Sequence, residues 1–201
     1  DATLEHMRIG AIKGQLIDAD GSTVINNYFT TFGITQATQN IDLGSTATKM
    51  LAACMELQDK VDDTLGGKAF SGVRVLCGRT FFRNLVENAA VKESYRRFMG
   101  SEMLRNDSRG GFEFGGIVWE QYRGAVGGTK FVADNKAYLV PEGVSDMFLA
   151  RFAPADYNET VNQTGLPYYS KMWATQGDKG YELEMQSNPI FINTMPGAVI
   201  E

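Results

Sequence analysis

Histidine is almost missing from this 201-residue chain, which has only His6, and cysteine is nearly as scarce, with Cys54 and Cys77 alone. Zinc sites draw on three or four His, Cys or carboxylate ligands, so this supply argues against a metal centre. The two cysteines lie far apart and form no CxxC or Cys/His group, which reads as buried thiols of a reducing compartment and excludes a disulfide scaffold. Nowhere do 18 apolar residues run together, and the N-terminal stretch has no basic segment leading into an apolar one. No membrane span or signal peptide is therefore expected, and a soluble chain made in the cytoplasm is. Basic charge is also in deficit: 24 acidic against 19 basic side chains give a net charge of -5. A chain of that sign is repelled by phosphate backbones and anionic lipid, so neither membrane association nor tight nucleic-acid binding is expected.

What is present is ordinary for a folded domain. Hydrophobic residues make up 43% and charged residues 21%, and the length suffices to bury about 70% of the unfolded surface without staples. Glycine is generous at 22 residues. Residues 2–13 put Leu4, Met7 and Ala11 on one helical stripe ending at Gly14. Because the chain opens inside this helix and without Met, it is expected to be part of a longer protein. Two β-branched runs around Asp20-Gly21 predict a hairpin. Its Asp18-Ala19-Asp20-Gly21 only weakly matches a calcium loop, since the twelfth position is Phe29 rather than a bidentate Glu.

From Leu43, the series Ala47, Met50, Leu51, Cys54, Leu57, Val61, Leu65 keeps helical spacing, opening near Ser45 and Thr46 and stopping at Gly66-Gly67. Val73–Cys77 reads as a buried strand, Thr80 as the cap of a helix bearing Phe81, Phe82, Leu85 and Val86, and Asn88 as the cap of a helix with Val91, Tyr95, Phe98 and Met99 inside. A strand feeding paired helices is a mixed α/β signature. The polar, Gly-rich stretch from Gly100 to Gly116 predicts a mobile surface loop. Strands follow at Ile117–Tyr122, Ala137–Val140 and Met147–Phe152, then a short helix opened by Pro154 over Ala155–Val161. LPYYSKMWAT and YELEMQSNPIFIN predict two strands around Gly177–Gly180.

Catalytic chemistry is thin. A hydrolytic triad needs a base beside its nucleophile, yet His6 sits on a helix next to Glu5 and no G-x-S-x-G turn occurs. Phosphate loops lead into helix N-termini, whereas Gly110-Gly111, Gly115-Gly116 and Gly127-Gly128 precede strands. Carboxylates pair at Asp62-Asp63, Asp156 with Glu159, and Glu182 with Glu184, at spacings usual for a solvated face. The basic group Arg96, Arg97, Arg105 and Arg109 could contact phosphate, but it is short and flanked by Glu93, Glu102 and Asp107, which suits salt bridges to a neighbouring subunit at least as well. Met185, Met195, Trp119, Trp173, Tyr168 and Tyr169 read mostly as core. No cofactor, metal or catalytic residue is assigned. One alternative stays open: a small cytosolic α/β enzyme using carboxylates such as Asp156 and Glu159.

The order of certain segments carries further information. Ala11–Gly21 (AIKGQLIDADG) with Phe32-Gly33-Ile34, Val75–Gly78 with Phe81-Phe82, and Arg109–Ile117 (RGGFEFGGI) come first. Phe152–Asp156 (FAPAD), Gly165–Tyr168 (GLPY), Asp178-Lys179-Gly180, Gln186–Pro189 (QSNP) and Pro196 complete the series. Together they resemble the major capsid proteins of lambda-type tailed phages, the capsid protein E family, along nearly the whole chain. The resemblance implies an α+β (mixed α/β) capsid fold, shared by tailed phages and herpesviruses, with an axial and a peripheral domain. Residues 1–34 would be the peripheral helix end and hairpin, 35–158 the axial domain, and 159–201 the peripheral return strands. The family's N-terminal arm and extended loop would precede the helix at 2–13.

A non-enzymatic head protein located in the virion is implied, with a phage tail or connector subunit as an alternative that differs mainly in the symmetry of assembly. The head protein would self-associate into hexamers and pentamers that enclose phage or prophage DNA, with decoration, scaffold and portal proteins as further partners. Polar residues 105–116 would lie near the capsomer axis, with Arg105, Arg109, Glu102 and Asp107 as intersubunit contacts.

Overall fold

A computed structural model describes residues 2–45, 49–98, 111–126, 128–177 and 179–201, with residues 95–98 described in backbone only. Its centre is a four-stranded sheet in the order β4 (Phe112–Phe114), β5 (Ile117–Gln121), β3 (Gly72–Cys77), β8 (Ala137–Glu142), where only β3 and β5 run parallel. Alternation in β3 decides its faces: Val73, Val75 and Cys77 are buried, while Arg74 and Leu76 point to the other side. Register then brings Val75 beside Trp119 of β5 and Leu139 of β8, and Phe112 beside Trp119. The free edge of β8 is closed by the chain end, since Leu139 and Ile200 exchange backbone hydrogen bonds of 2.8 and 3.2 Å. Closing an edge this way removes a template for unwanted strand pairing.

Helix α3 (Met50–Leu65) lays Met50, Cys54, Leu57, Val61 and Leu65 into this core and ends on Gly66 in the left-handed conformation. The turn between β4 and β5 rests on it. A Cβ at Gly115 would fall 2.6 Å from that of Cys54, and the Gln58 amide donates to the Gly115 carbonyl at 3.1 Å. After β3 come α4 (Arg79–Glu87), with Phe82 and Leu85 buried, and α5 (Ala89–Phe98), whose Val91 is buried.

A smaller cluster joins the front of the chain to its end. Helix α1 (Ala2–Ile12) packs Met7 and Ala11 against Tyr28 and Phe191, and the Tyr28 hydroxyl donates to the Phe191 carbonyl at 2.6 Å. Its other side carries Ile9 into the main core. Phe191 lies on β12 (Pro189–Asn193), which pairs antiparallel with β9 (Phe148–Phe152). Beyond Ser187 and Asn188 the same pairing continues between β11 (Tyr181–Gln186) and β10 (Tyr169–Ala174), so a narrow ribbon runs out from the body.

Most periodic segments stand where expected: α1, the hairpin of β1 (Gln15–Ile17) and β2 (Val24–Asn27), α3, β3, α5 with the Asn88 side chain accepting from the Ala90 N–H at 3.1 Å, and β5, β8 and β9. Other expectations are corrected. Tyr28–Phe32 is a short helix, α2, because the Asn27 side chain caps it and Gly33 closes it. Helix α4 begins after Gly78, so Thr80 sits in its first turn and does not cap it. Phe112–Phe114 is a strand rather than loop, since its two aromatic side chains face inward beside β5. Strand β8 continues through Pro141 to Glu142. Two short strands, β6 (Ala125–Val126) and β7 (Thr129–Lys130), were not anticipated. Pro154 opens no helix; only a single turn forms at Asn158–Thr160. The start of the expected α3 helix at 46–48, and the stretch 99–110, lie outside the described residues.

Candidate functional site

The titratable groups build no catalytic constellation among the described residues. Cys54 and Cys77 are buried thiols; burial pushes the first up to about 11 and the second higher still, so neither is a poised nucleophile. His6 lies stacked on Phe131, ring centroids 4.3 Å apart, and both burial and nearby Lys13 lower its pKa. No cluster of three metal-ligating side chains occurs among the described residues, and no helix there is long and apolar enough to cross a membrane. The Asp20 carboxylate is engaged by Ser22 and Thr23, whose N–H groups donate to it at 2.8 Å, so it stabilises its own turn. The carboxylate pairs stand in solvent: Asp62 and Asp63 on α3, Glu159 bonded to Lys171 at 2.7 Å, and Glu182 accepting from the Trp173 indole at 3.0 Å. Arg105, Arg109, Glu102 and Asp107, the residues expected to meet neighbouring subunits, lie outside the described residues.

Two features missed by the sequence reading stand out instead. The first is the outer ribbon. Register places Met172 opposite Leu183, Ala174 opposite Tyr181, and Ser170 opposite Met185, so one face is apolar. That face is open to solvent: Met172 is 63%, Tyr181 76%, Leu183 65% and Met185 71% exposed. Met185, Tyr168 and Trp173 are therefore surface rather than core, whereas Trp119 is fully buried and Met195 partly so. The alternation Tyr181-Glu-Leu-Glu-Met185 was the signal available; it shows two unlike faces but not that nothing covers the apolar one.

The second is a cleft of about 700 Å³ where α4 leaves the sheet, walled by α4 and by residues 121–125 and 130–134. Arg79, Arg83, Arg123 and Lys130 surround it, against Glu87 and Asp134. Lys130 binds Asp134 at 2.6 Å, and with the two α4 arginines it holds that carboxyl below the usual range. Arg79 and Arg83 are exposed and form no ion pair among the described residues. They sit one helical turn apart, which is why both reach the same cleft.

Comparison with known proteins supplies the context. A model of the family described as phage major capsid protein E matches residues 1–201. The chain is 28% identical over 186 residues to the major capsid protein of Pseudomonas phage KPP10, covering 84% of this chain and 52% of that protein. It thus spans about half the length of that curated relative. Among solved structures, a virus-like particle from Pyrococcus furiosus aligns over 99% of this chain and 61% of its own, at 11% identity and a TM-score of 0.46. A phage-related protein from Bordetella bronchiseptica RB50 aligns over 83% of this chain and 55% of its own, at 12% identity and a TM-score of 0.41. With a family model matched from the first residue to the last, the chain belongs to the phage major capsid protein E family.

Proposed function

We propose that this chain is the shell-forming part of a tailed-phage or prophage head, a structural component of the virion that associates with copies of itself into hexamers and pentamers around the packaged DNA. The observation that carries this reading is the family match along residues 1–201. The exposed apolar face of the ribbon supports it, because a two-stranded hairpin with bare hydrophobic side chains is marginal in water and gains from a neighbouring surface. A shell subunit works by tiling, and nothing in that task requires a catalytic group.

In the same reading, residues 35–158 form the axial domain, while residues 1–34 and 159–201 form the peripheral one. The cluster of Met7, Ala11, Tyr28 and Phe191 supports grouping the two ends of the chain, and β9 joins them by its pairing with β12. Arg105, Arg109, Glu102 and Asp107 lie near the capsomer axis and contact neighbouring subunits. The net charge of -5 keeps adhesion to DNA weak, so the genome moves freely in and out. Scaffold, decoration and portal proteins are further partners, and synthesis takes place in the bacterial cytoplasm.

Expression of the full-length gene followed by negative-stain microscopy tests the assembly. Rings of five and six subunits or closed shells are expected; a product that stays monomeric under all conditions overturns it. Arg105→Ala with Arg109→Ala is expected to lower the yield of shells, and an unchanged yield removes those two residues from the interface.

A further inference from the structure

The cleft beside α4 is lined mainly by basic side chains and the outer ribbon presents Glu182 and Glu184 on one face, and no hydrogen bond or ion pair joins the two within the described chain. We propose that they meet between copies: the cleft of one subunit, through Arg79 and Arg83, receives the acidic face of the β10–β11 ribbon, Glu182 and Glu184, from the next. This contact rests on the shell reading above and names the surfaces that would join two subunits.

Both halves are prepared for such a contact. Strand alternation puts Glu182 and Glu184 on the face opposite Leu183, beside Trp173 and Lys171, and Glu182, Glu184 and Trp173 on that face are exposed. Asp156 and Glu159 lie at the same end, within electrostatic reach of Tyr157 as Glu184 is, so four carboxylates stand against Lys171, itself paired with Glu159, and Lys179 of the turn. The cleft offers the complement. Arg79 and Arg83 form no ion pair among the described residues, and a planar guanidinium matches a carboxylate with two parallel hydrogen bonds. Phe82 and Val132 line the floor and would take the apolar body of Trp173 or the methylene stems of the glutamates.

Symmetry favours a partner of this kind. Two unlike patches on the same chain make a head-to-tail contact, and repeated head-to-tail contacts close into rings when the rotation permits. A self-complementary patch would give pairs instead. Opposite charges also fix which patch meets which and speed correct encounters.

A charge-swap experiment on the full-length protein decides it. Arg79→Glu with Arg83→Glu, and separately Glu182→Lys with Glu184→Lys, are expected each to lower the yield of rings or shells by about tenfold or more, and the four changes together to restore it to within about threefold of wild type. All of these side chains are exposed, so the thermal melt of each unassembled variant should match wild type; Arg79→Gln with Arg83→Gln gives a milder loss where reversal perturbs the fold. Normal yield from either reversed pair overturns the contact, as does failure of the combination to rescue two defective but folded parents. Shells formed in normal yield by the arginine variant but with reduced DNA content would assign the cleft to nucleic acid and equally overturn it. Wild-type protein that forms no rings at all would instead sink the shell reading on which the contact rests.

Discussion

Individual side chains in this protein act mainly to hold backbone in place. Trp119 is fully buried at the crossing of β4, β5 and α4, stacks with Phe81 at 6.4 Å, and donates its indole N–H to the Phe114 carbonyl at 3.1 Å. An aromatic residue in that position combines apolar burial with satisfaction of a backbone acceptor. Asp20 does the same service on the surface: its carboxylate accepts from two backbone N–H groups and two hydroxyls in the β1–β2 turn, which holds its pKa well below the usual aspartate range. A group whose native pKa is depressed contributes stability above the unfolded value and loses it as pH falls toward the native one. The hairpin should therefore be unaffected from neutral pH down to about 4 and loosen below it. Amide chemical shifts of Ser22 and Thr23 followed by NMR from pH 7 to 2 check this; in Asp20→Asn, which has no carboxylate to titrate, the acid-dependent change should vanish.

At the scale of elements, close approach matters more than propensity. Helix α4 starts without a side-chain cap, and Gly78 before it lies so near the β7–β8 connection that a Cβ there would fall 1.9 Å from the Ala133 carbonyl oxygen. That oxygen belongs to rigid backbone, so the clash cannot be relieved by a rotamer change. Gly78→Ala is expected to destabilise the protein by about 1–3 kcal/mol, read as a lowered urea midpoint with unchanged slope. On the far face of the sheet, Arg74 of β3 bridges Glu120 of β5 at 2.9 Å and Glu142 of β8 at 2.5 Å. These groups are about a third exposed, so water screens the network, and its larger contribution is to pin strand register.

The whole molecule is a firm body with a lightly held extension. The main cluster spans the sheet, α3, α4, α5 and the chain end, whereas the second has only Met7, Ala11, Tyr28 and Phe191 at its centre. Helix α1 is the joint, with Ile9 in one cluster and Met7 in the other. Regions with few buried apolar contacts open at lower free energy than the core, so β10 and β11 should exchange amide hydrogens first, β9 and β12 next, and β3 last. Tyr28→Phe, which leaves the Phe191 carbonyl without its hydroxyl donor, is expected to cost about 1 kcal/mol and to speed exchange in β9 and β12 while leaving β3 nearly unchanged. Uniform acceleration across all strands would show that the two clusters unfold as one. If the chain tiles a shell as proposed, a firm body with a yielding ribbon lets it adapt to neighbours arranged in slightly different ways.

Much of this was legible in the residues. The spacing of Met50, Cys54, Leu57, Val61 and Leu65, the alternation in β3 and the Asp20-Gly21 turn each depend on interactions within a few residues, so sequence alone determined α3, β3 and the first hairpin. Ordered segments from Ala11 to Pro196 likewise pointed to the capsid family. Other outcomes were decided only by tertiary structure. Phe112–Phe114 became a strand because β5 lay beside it, and Ile200 joined the sheet because β8 had an open edge. Met172, Tyr181, Leu183 and Met185 show the same periodicity as a core strand and yet face solvent. The arginines of the cleft, although one turn apart on α4, meet Arg123 and Lys130 only through folding. Periodicity records which side chains share a face; what covers that face depends on contacts between residues distant in the chain.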